Sequence, residues 1–221
     1  MQTVIKSYVL RAARMTGAQR RSYEEYSPRW LIPFVPGNTL DSKTLFADQR
    51  PLCVEIGFGM GAATAVLAGQ NPGINYLGIE VHRPGIGRLL WEIEKRALSN
   101  IRIIEGDAVD VLSAMNFEAD GFHIFFPDPW PKKRHHKRRL VQRPFTALLA
   151  GRLKKGGYVY MVTDWEDYGR RALEELAATD GLENRYDDFA PAQLWRPETK
   201  FEKKGIAKNH QVWELMFERR Q

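Results

Sequence analysis

The sequence predicts an α/β fold: a mostly parallel sheet with helices on both faces and an antiparallel C-terminal strand. Three observations predict it. From Leu52 onward, short apolar, β-rich runs alternate five times with helix-like segments, the pattern of serial β/α units. Gly57, Gly59 and Gly61 follow the first run directly, in "VEIGFGMGA", where a strand must turn sharply into a helix. The final β-rich run, "QVWELMFER", is not followed by a helical segment, so it should join the sheet antiparallel.

Each element has its own justification. "LCVEI" is a short apolar strand ending in Gly, and "AATAVLAGQ" is an Ala-rich helix. "NYLGIEV" is β-rich; "PGIGRLLWEIEKRALS" follows with Pro near its start and apolar residues at helical spacing. "IRIIEG" is the third strand, "AVDVLSAM" a short helix, and "GFHIFFP" a buried strand stopped by proline. "RPFTALLAGRL" predicts a helix closed by Gly156-Gly157, "YVYMVT" the fifth strand, and "EDYGRRALEELAAT" an amphipathic helix. Trp91 and Trp213 fall in amphipathic or strand patterns and are expected in the core. The first ~45 residues lack the β/α rhythm. The chain therefore divides into a basic N-terminal arm and helix over 1–45 and an α/β domain over 46–221.

Composition narrows the class. With 221 residues, 43% hydrophobic, the chain can bury a core. No stretch approaches eighteen uninterrupted apolar residues, so no membrane span is expected, and the start lacks a secretory apolar region. A lone Cys53 allows no intrachain disulfide and no cysteine metal cluster, which fits a cytoplasmic enzyme. The net charge of +6 is unevenly placed: residues 125–139 carry +5, residues 1–30 carry +4, and the rest −3. Two basic patches on a mildly acidic body favour a polyanionic partner.

Parallel α/β sheets bind ligands beyond the carboxyl ends of their strands. There the sequence places Glu55, Glu80, Asp107, Asp128 and Asp164. The glycine turn alone is ambiguous, because Gly57, Gly59 and Ala62 also satisfy a dinucleotide pattern, and a nicotinamide cofactor remains a rival. Glu80, 19 residues after Gly61, can accept from ribose hydroxyls in either case. Glu55 stands where an ammonium could sit, and Asp107 where an adenine amino group needs an acceptor. An acidic rim suits a sulfonium, an ammonium and an adenosine better than a pyrophosphate, so the balance moves to S-adenosylmethionine.

The fourth strand ends in "PDPWPKKRHHKRR". Its prolines stiffen the loop that carries Asp128. Trp130 offers a flat face for a flipped base, and Lys132, Lys133, Arg134, Lys137, Arg138 and Arg139 offer phosphate contacts. His135 and His136 are adjacent, a spacing at which two imidazoles rarely reach one ion, so no metal is expected.

"PDPWPKKRHHKRRL", with "VEIGFGMG", "VTDWEDY" and "TKFEKKG", resembles the bacterial tRNA (guanine-N7)-methyltransferase family. The resemblance runs from about Ile5 to Arg219, and "RAARMTGAQRR" is similar to that family's N-terminal region. The glycine motif is shared with many methyltransferases; the Asp-Pro-Trp-basic run and the Thr-Lys-Phe-Glu segment are far more specific. The resemblance implies a Rossmann-like class I S-adenosylmethionine-dependent methyltransferase fold, with 46–221 as the catalytic domain. It implies S-adenosylmethionine as methyl donor and guanosine 46 in the tRNA variable region as target. Glu55, Gly57, Gly59, Glu80, Asp107 and Asp128 match the family's cofactor-binding positions, and Asp128 also its proposed catalytic residue. Lys132, Asp164, Thr199, Lys200, Phe201 and Glu202 match its substrate-contacting positions. Asn209 stands where many relatives carry glycine. The expected partner is tRNA, with no membrane; monomer and homodimer both remain open.

The residue types agree with that chemistry. Guanine N7 carries an in-plane lone pair, so no general base is needed, and no Ser/His/Asp or Cys/His set stands out. Carboxylates that accept guanine's N1–H and amino protons position the base and offset its developing positive charge; Asp128, Asp164 and Glu202 are the candidates. Two other readings stay open. One is methylation of an exocyclic amino group, since Asp128-Pro129 with an aromatic two residues after the Asp resembles the amino-methyltransferase loop. The other is a basic RNA-binding protein with a vestigial cofactor fold, against which the acidic rim argues.

Overall fold

The structure, a computed structural model, describes residues 5–9, 14–198, 202 and 211–220. Five strands lie parallel: β1 (Leu52–Ile56), β2 (Asn75–Glu80), β3 (Ile101–Glu105), β4 (Ala119–Phe125) and β5 (Leu153–Thr163). Helix α1 (Gly17–Trp30) precedes them. Between and after them run α2 (Ala62–Gln70), α3 (Arg83–Lys95), α4 (Ala108–Ala114), α5 (Phe145–Gly151) and α6 (Glu166–Ala177), then β6 (Leu182–Asn184) and β7 (Trp213–Arg219). The sheet order is β3-β2-β1-β4-β5-β7-β6, with β7 antiparallel to both of its neighbours. The α/β fold with an antiparallel C-terminal strand is thus as the sequence predicted. Among the described residues no helix is long and apolar enough to cross a membrane.

Every residue of β1 and β2 is buried, which is why these strands read as continuous apolar runs rather than alternating ones. The two-residue period still sorts the faces. Val54 and Ile56 join one core with Phe122, Leu149 and Met161. Cys53 joins the other, with Leu67, Ile86 and Ile93 of α2 and α3. Glu55, two residues from Cys53, therefore shares the α2/α3 face. The strand order reverses between β1 and β4, and the crevice at their carboxyl ends is the site position this topology provides.

Helix α1 begins with a capping box: the Thr16 hydroxyl accepts from Gln19 N, and the Gln19 side chain accepts from Thr16 N. It packs against α3 at Gly87, where an added Cβ would lie 2.5 Å from Gln19 O. Trp30, Leu40 and Leu45 are buried, so residues 17–45 contribute to the same cores as the sheet.

Two expectations need correction, and one strand was not foreseen. Gly156-Gly157 do not close a helix. α5 already ends at Gly151, and β5 starts at Leu153 and runs through the glycines. The pairing with β4 jumps from Ala119↔Leu153 to Gly121↔Tyr158, so the pair sits in a bulge, with Gly156 at φ +74 and no room for a Cβ on Gly157. β6 was not legible, because three residues are too few to show a period. Trp91 and Trp213 are half-buried rather than core. Trp91 lies at the surface between Arg88 and Lys95, whose charges stand 4.3 and 4.5 Å from its ring centroid.

Candidate functional site

The turn after β1 needs its glycines for backbone reasons. Gly57, Gly59 and Gly61 have φ of +72, +57 and +69, and an added Cβ on Gly57 or Gly59 would meet nothing within 4 Å. The space above the turn is open; the left-handed backbone is what excludes other residues. Gly85 makes the turn's seat, since a Cβ there would come 1.9 Å from Gly59 O. α3 thus presses directly on the glycine turn, a contact the sequence did not announce.

Glu80 clasps this turn to the end of β2. Its Oε2 accepts from Gly59 N (2.8 Å), and its Oε1 from Val81 N (2.7 Å) and His82 N (3.0 Å). Glu55 lies below, buried; among the described residues neither its Oε2 nor the buried Thr64 hydroxyl at the start of α2 has a hydrogen bond of good geometry, though Thr64 is close enough to favour the charged carboxylate. Burial pushes the Glu55 carboxyl up to about 7. An unsatisfied buried carboxylate is costly, and a cationic ligand group would relieve it.

Asp107 is committed on both sides. Its Oδ1 caps α4 by accepting from Val109 N (2.9 Å), and its Oδ2 takes the Lys6 ammonium (2.8 Å). At the neighbouring end of β3, Glu105 accepts from the Tyr23 hydroxyl and from Arg83 Nε (2.6 Å). A cavity of about 460 Å³ lies beside Asp107, between Lys6, the start of α4, Arg138 and Phe145. A larger one, about 840 Å³, lies between α1, α2 and α3, with Met60 of the glycine turn and Trp91 in its wall but none of the rim acids Glu55, Glu80, Asp107 or Asp128. The acids and the glycine turn, rather than volume, mark the site.

The loop carrying Asp128 is unusual in its backbone. Phe126 and Trp130 have φ of +51 and +46, and Pro127 and Pro129 fix φ by their rings. A non-glycine residue held in the left-handed region costs about 1–3 kcal/mol and persists only where its surroundings enforce it. Here Phe126 N donates to Val162 O (2.8 Å), Arg139 Nε to Pro129 O (2.9 Å) and Trp130 Nε1 to Ser7 O (2.9 Å). Asp128, between them, is exposed and accepts no hydrogen bond among the described residues.

The basic run continues as a 3₁₀ helix, Lys133–Arg138. Lys132, Lys133, Arg134 and Lys137 are exposed, as phosphate contacts require. Arg138 lies over Trp130, 5.0 Å from its ring centroid, so one face that a base could have used is covered. Arg139 departs from expectation altogether: its side chain is 3% exposed, and Nη2 donates to Asp167 Oδ2 at 2.5 Å. That burial does not suit a phosphate contact. The short 3₁₀ helix ends there, and Val141 enters the core, so the last cation turns inward.

Asp164 is half-buried just after β5, beside a shallow cavity lined by Trp165, Glu166, Asp167 and Arg170. Glu202 is buried, with both oxygens on the Arg196 guanidinium at 2.6 Å. Arg196 also donates to Glu214 Oε1 (3.0 Å) and to the Tyr160 hydroxyl (3.1 Å), and Tyr160 donates to Glu214. Burial alone would lower the Arg196 pKa; the bonds to Glu202 and Glu214 raise it instead. Thr199, Lys200, Phe201 and Asn209 lie outside the described residues. The structure thus gathers Glu55, Gly57, Gly59 and Glu80 around one turn, sets Asp107 at the end of β3, and joins the Asp128 loop to the Asp164 segment through Arg139 and Asp167. The sequence singles out neither Gly85 nor Arg196, and it places Arg139 on phosphate rather than inside the domain. For Arg139 a signal existed, because it directly precedes the apolar pair Leu140-Val141.

A family model described as "Putative methyltransferase" matches residues 49–215. A tRNA (guanine-N(7)-)-methyltransferase of Burkholderia cenocepacia (strain HI2424) is 50% identical over 218 residues, covering 98% of this chain and 85% of its own. The enzyme of the same description from Nitrosospira multiformis is 49% identical over 219 residues, covering 98% and 95%. Among solved structures, the 16S rRNA methyltransferase KamB superposes with a TM-score of 0.58 at 11% identity, over 96% of this chain and 97% of that one, a likeness of fold. Near 50% identity over almost the whole length, with the glycine turn, the acidic rim and the Asp128 loop all in place, makes this chain a member of the bacterial tRNA (guanine-N7)-methyltransferase family.

Proposed function

We propose that this protein transfers a methyl group from S-adenosylmethionine to N7 of guanine 46, in the variable region of tRNA. The observation that carries the reading is Asp128: a carboxylate that is exposed and without a hydrogen bond among the described residues, on a rigidly held loop beyond the β1/β4 strand switch, from which a cationic 3₁₀ helix continues. The names of the relatives support tRNA and guanine N7; position 46 and the methyl donor come from the resemblance and from the fit of the acids.

S-adenosylmethionine supplies an electrophilic methyl on a sulfonium. The chain's own residues do the rest. Gly57 and Gly59 leave room for close approach, and Glu80 holds the Gly59 backbone while keeping acceptor capacity on Oε2 for a hydroxyl donor. Glu55 provides the buried anion for an ammonium. Asp107 would have to exchange Lys6 for an adenine amino group. Asp128 accepts guanine's N1–H and amino protons, turns N7 toward the methyl, and offsets the charge that develops on the purine. Asp164 flanks it from the next strand, and Lys132 begins the phosphate track. Glu202 acts through Arg196, whose guanidinium it binds with both oxygens. No proton leaves N7, so no base is required.

The test is transfer of labelled methyl from S-adenosylmethionine to unmodified tRNA, followed by nucleoside identification and mapping. 7-Methylguanosine at position 46 is expected. Methyl on an exocyclic amino group, or no transfer, would end the reading.

Glu55 gives a pH-dependent expectation. Its carboxyl binds a proton more tightly in the folded protein (about 7) than its ordinary value of 4.5. The folded state therefore holds the extra proton, and stability falls as pH rises from about 4.5 to about 7, then stays level. If an ammonium sits beside Glu55, cofactor binding ionises it and releases up to one proton near pH 7. Calorimetry in buffers of different ionisation enthalpy should detect that release in the parent and not in Glu55→Gln. Buffer-independent heats in the parent would remove Glu55 from the ammonium site.

A further inference from the structure

We infer that Arg139 is the positioning residue for Asp128, anchoring from inside the domain the backbone that presents this carboxylate. The inference rests on the proposed methyl transfer for its rate effect, but on geometry for its substance. Four of the five residues from Phe126 to Trp130 have constrained φ: two by proline rings and two in the left-handed region. Such a loop relaxes unless both ends are held. The sheet holds the first end, where Phe126 N donates to Val162 O. Arg139 holds the second, donating Nε to Pro129 O, the carbonyl of the residue after Asp128.

Two of the three guanidinium nitrogens of Arg139 are engaged inside the protein. Nη2 donates to Asp167 and lies 3.2 Å from His136 Nε2, and the guanidinium stacks over Tyr168 with its carbon 5.0 Å from the ring centroid. Tyr168 is itself fixed, its hydroxyl accepting from Val141 N at 3.0 Å. Asp167 is three residues after Asp164, at the start of α6, so one guanidinium ties the loop of Asp128 to the segment that carries Asp164, two of the three candidate guanine acceptors. The planar fork bonds a carbonyl and a carboxylate from separate nitrogens in a fixed geometry while lying over an aromatic ring, a spread of contacts that a single ammonium nitrogen does not reproduce. The sixth cation of the basic run thus serves the reaction without touching substrate.

The experiment compares the parent with Arg139→Lys, Arg139→Ala and Asp167→Asn. At saturating cofactor and tRNA, the single-turnover rate of Arg139→Lys should fall on the order of 10–100-fold, the scale of an ångström-sized misplacement. Its tRNA affinity and the slope of log K against log salt should match the parent. A slope reduced by about 0.7–0.9 with a normal saturated rate would make Arg139 a phosphate contact and overturn the inference. Should Arg139→Ala not fold, Asp167→Asn carries the test, because this exposed acid lies off the loop: its rate should drop several-fold, and a parental rate overturns the inference. Hydrogen exchange over residues 126–139 reads the anchoring whatever base is methylated. Faster exchange in the Arg139 variants is expected, and unchanged exchange overturns the inference. Nucleoside analysis of the parent reports separately on the proposed function.

Discussion

Asp128→Asn is expected to lower single-turnover methylation by on the order of 10²–10³ while leaving fold and tRNA affinity nearly intact. The side chain is exposed and accepts no hydrogen bond among the described residues, so the amide breaks no structural contact. It keeps one acceptor oxygen, loses the negative charge, and adds donors facing guanine's own. Loss of one preorganised charged group of this kind corresponds to about 3–4 kcal/mol of transition-state stabilisation. Because N7 is attacked through its lone pair, neither protein should show a rate that rises with ionisation of a base near neutral pH. The measurement is single-turnover methylation of a tRNA transcript between about pH 5.5 and 8.5, a window bracketing an ordinary histidine. Equal saturated rates for parent and variant would shift the catalytic assignment to Asp164.

Arg196→Ala should cost about 3–5 kcal/mol of stability. The Arg196 side chain is 5% exposed, and the carboxylates it serves, Glu202 and Glu214, are each 4% exposed. Removing the guanidinium leaves two buried carboxylates without their shared cation, with the Tyr160 hydroxyl and Gln193 N still donating to Glu214. Such carboxyls would bind protons more tightly in the folded variant than in its unfolded chain. The variant's deficit relative to the parent is therefore smallest at mildly acidic pH and grows as pH rises through their elevated pKa values. Urea unfolding at about pH 5 and pH 7.5 (either side of an ordinary histidine) checks both the size and the sign. A loss below about 1 kcal/mol at the higher pH would show that the cluster contributes little, as some buried ion groups do.

The sheet was legible because its strands are buried on both faces: "LCVEI" and "NYLGIE" stand out as unbroken apolar runs, and an acid within or ending one is conspicuous. That is how Glu55 and Glu80 could be picked out without coordinates. Gly156-Gly157 misled because a glycine pair that ends a helix and one that fills a bulge look alike; only the register against Ala119 and Gly121 separates them. Arg139 is chemically identical to its neighbours, and its burial depends on Asp167 and Tyr168, 28 and 29 residues later. The Arg196 cluster likewise draws on Tyr160, Glu202 and Glu214, contributed by three separate segments. Local pattern reports which face a residue should take; it does not report which distant side chain will meet it.

The placement of β7 between β5 and β6 bears on how the chain is made. During synthesis the Asp128 loop, its basic helix and the whole parallel half emerge well before Trp213. Until residues 213–219 follow, β5 presents the free edge of "YVYMVT", a run with neither charge nor proline. An exposed edge of that composition invites pairing with other nascent chains. Glu214, which completes the Arg196 cluster, arrives on the same late strand. A chain stalled on the ribosome between Thr163 and Trp213 would therefore be a chaperone's client with its reactive loop already made, and quality control should act on this protein at the final strand.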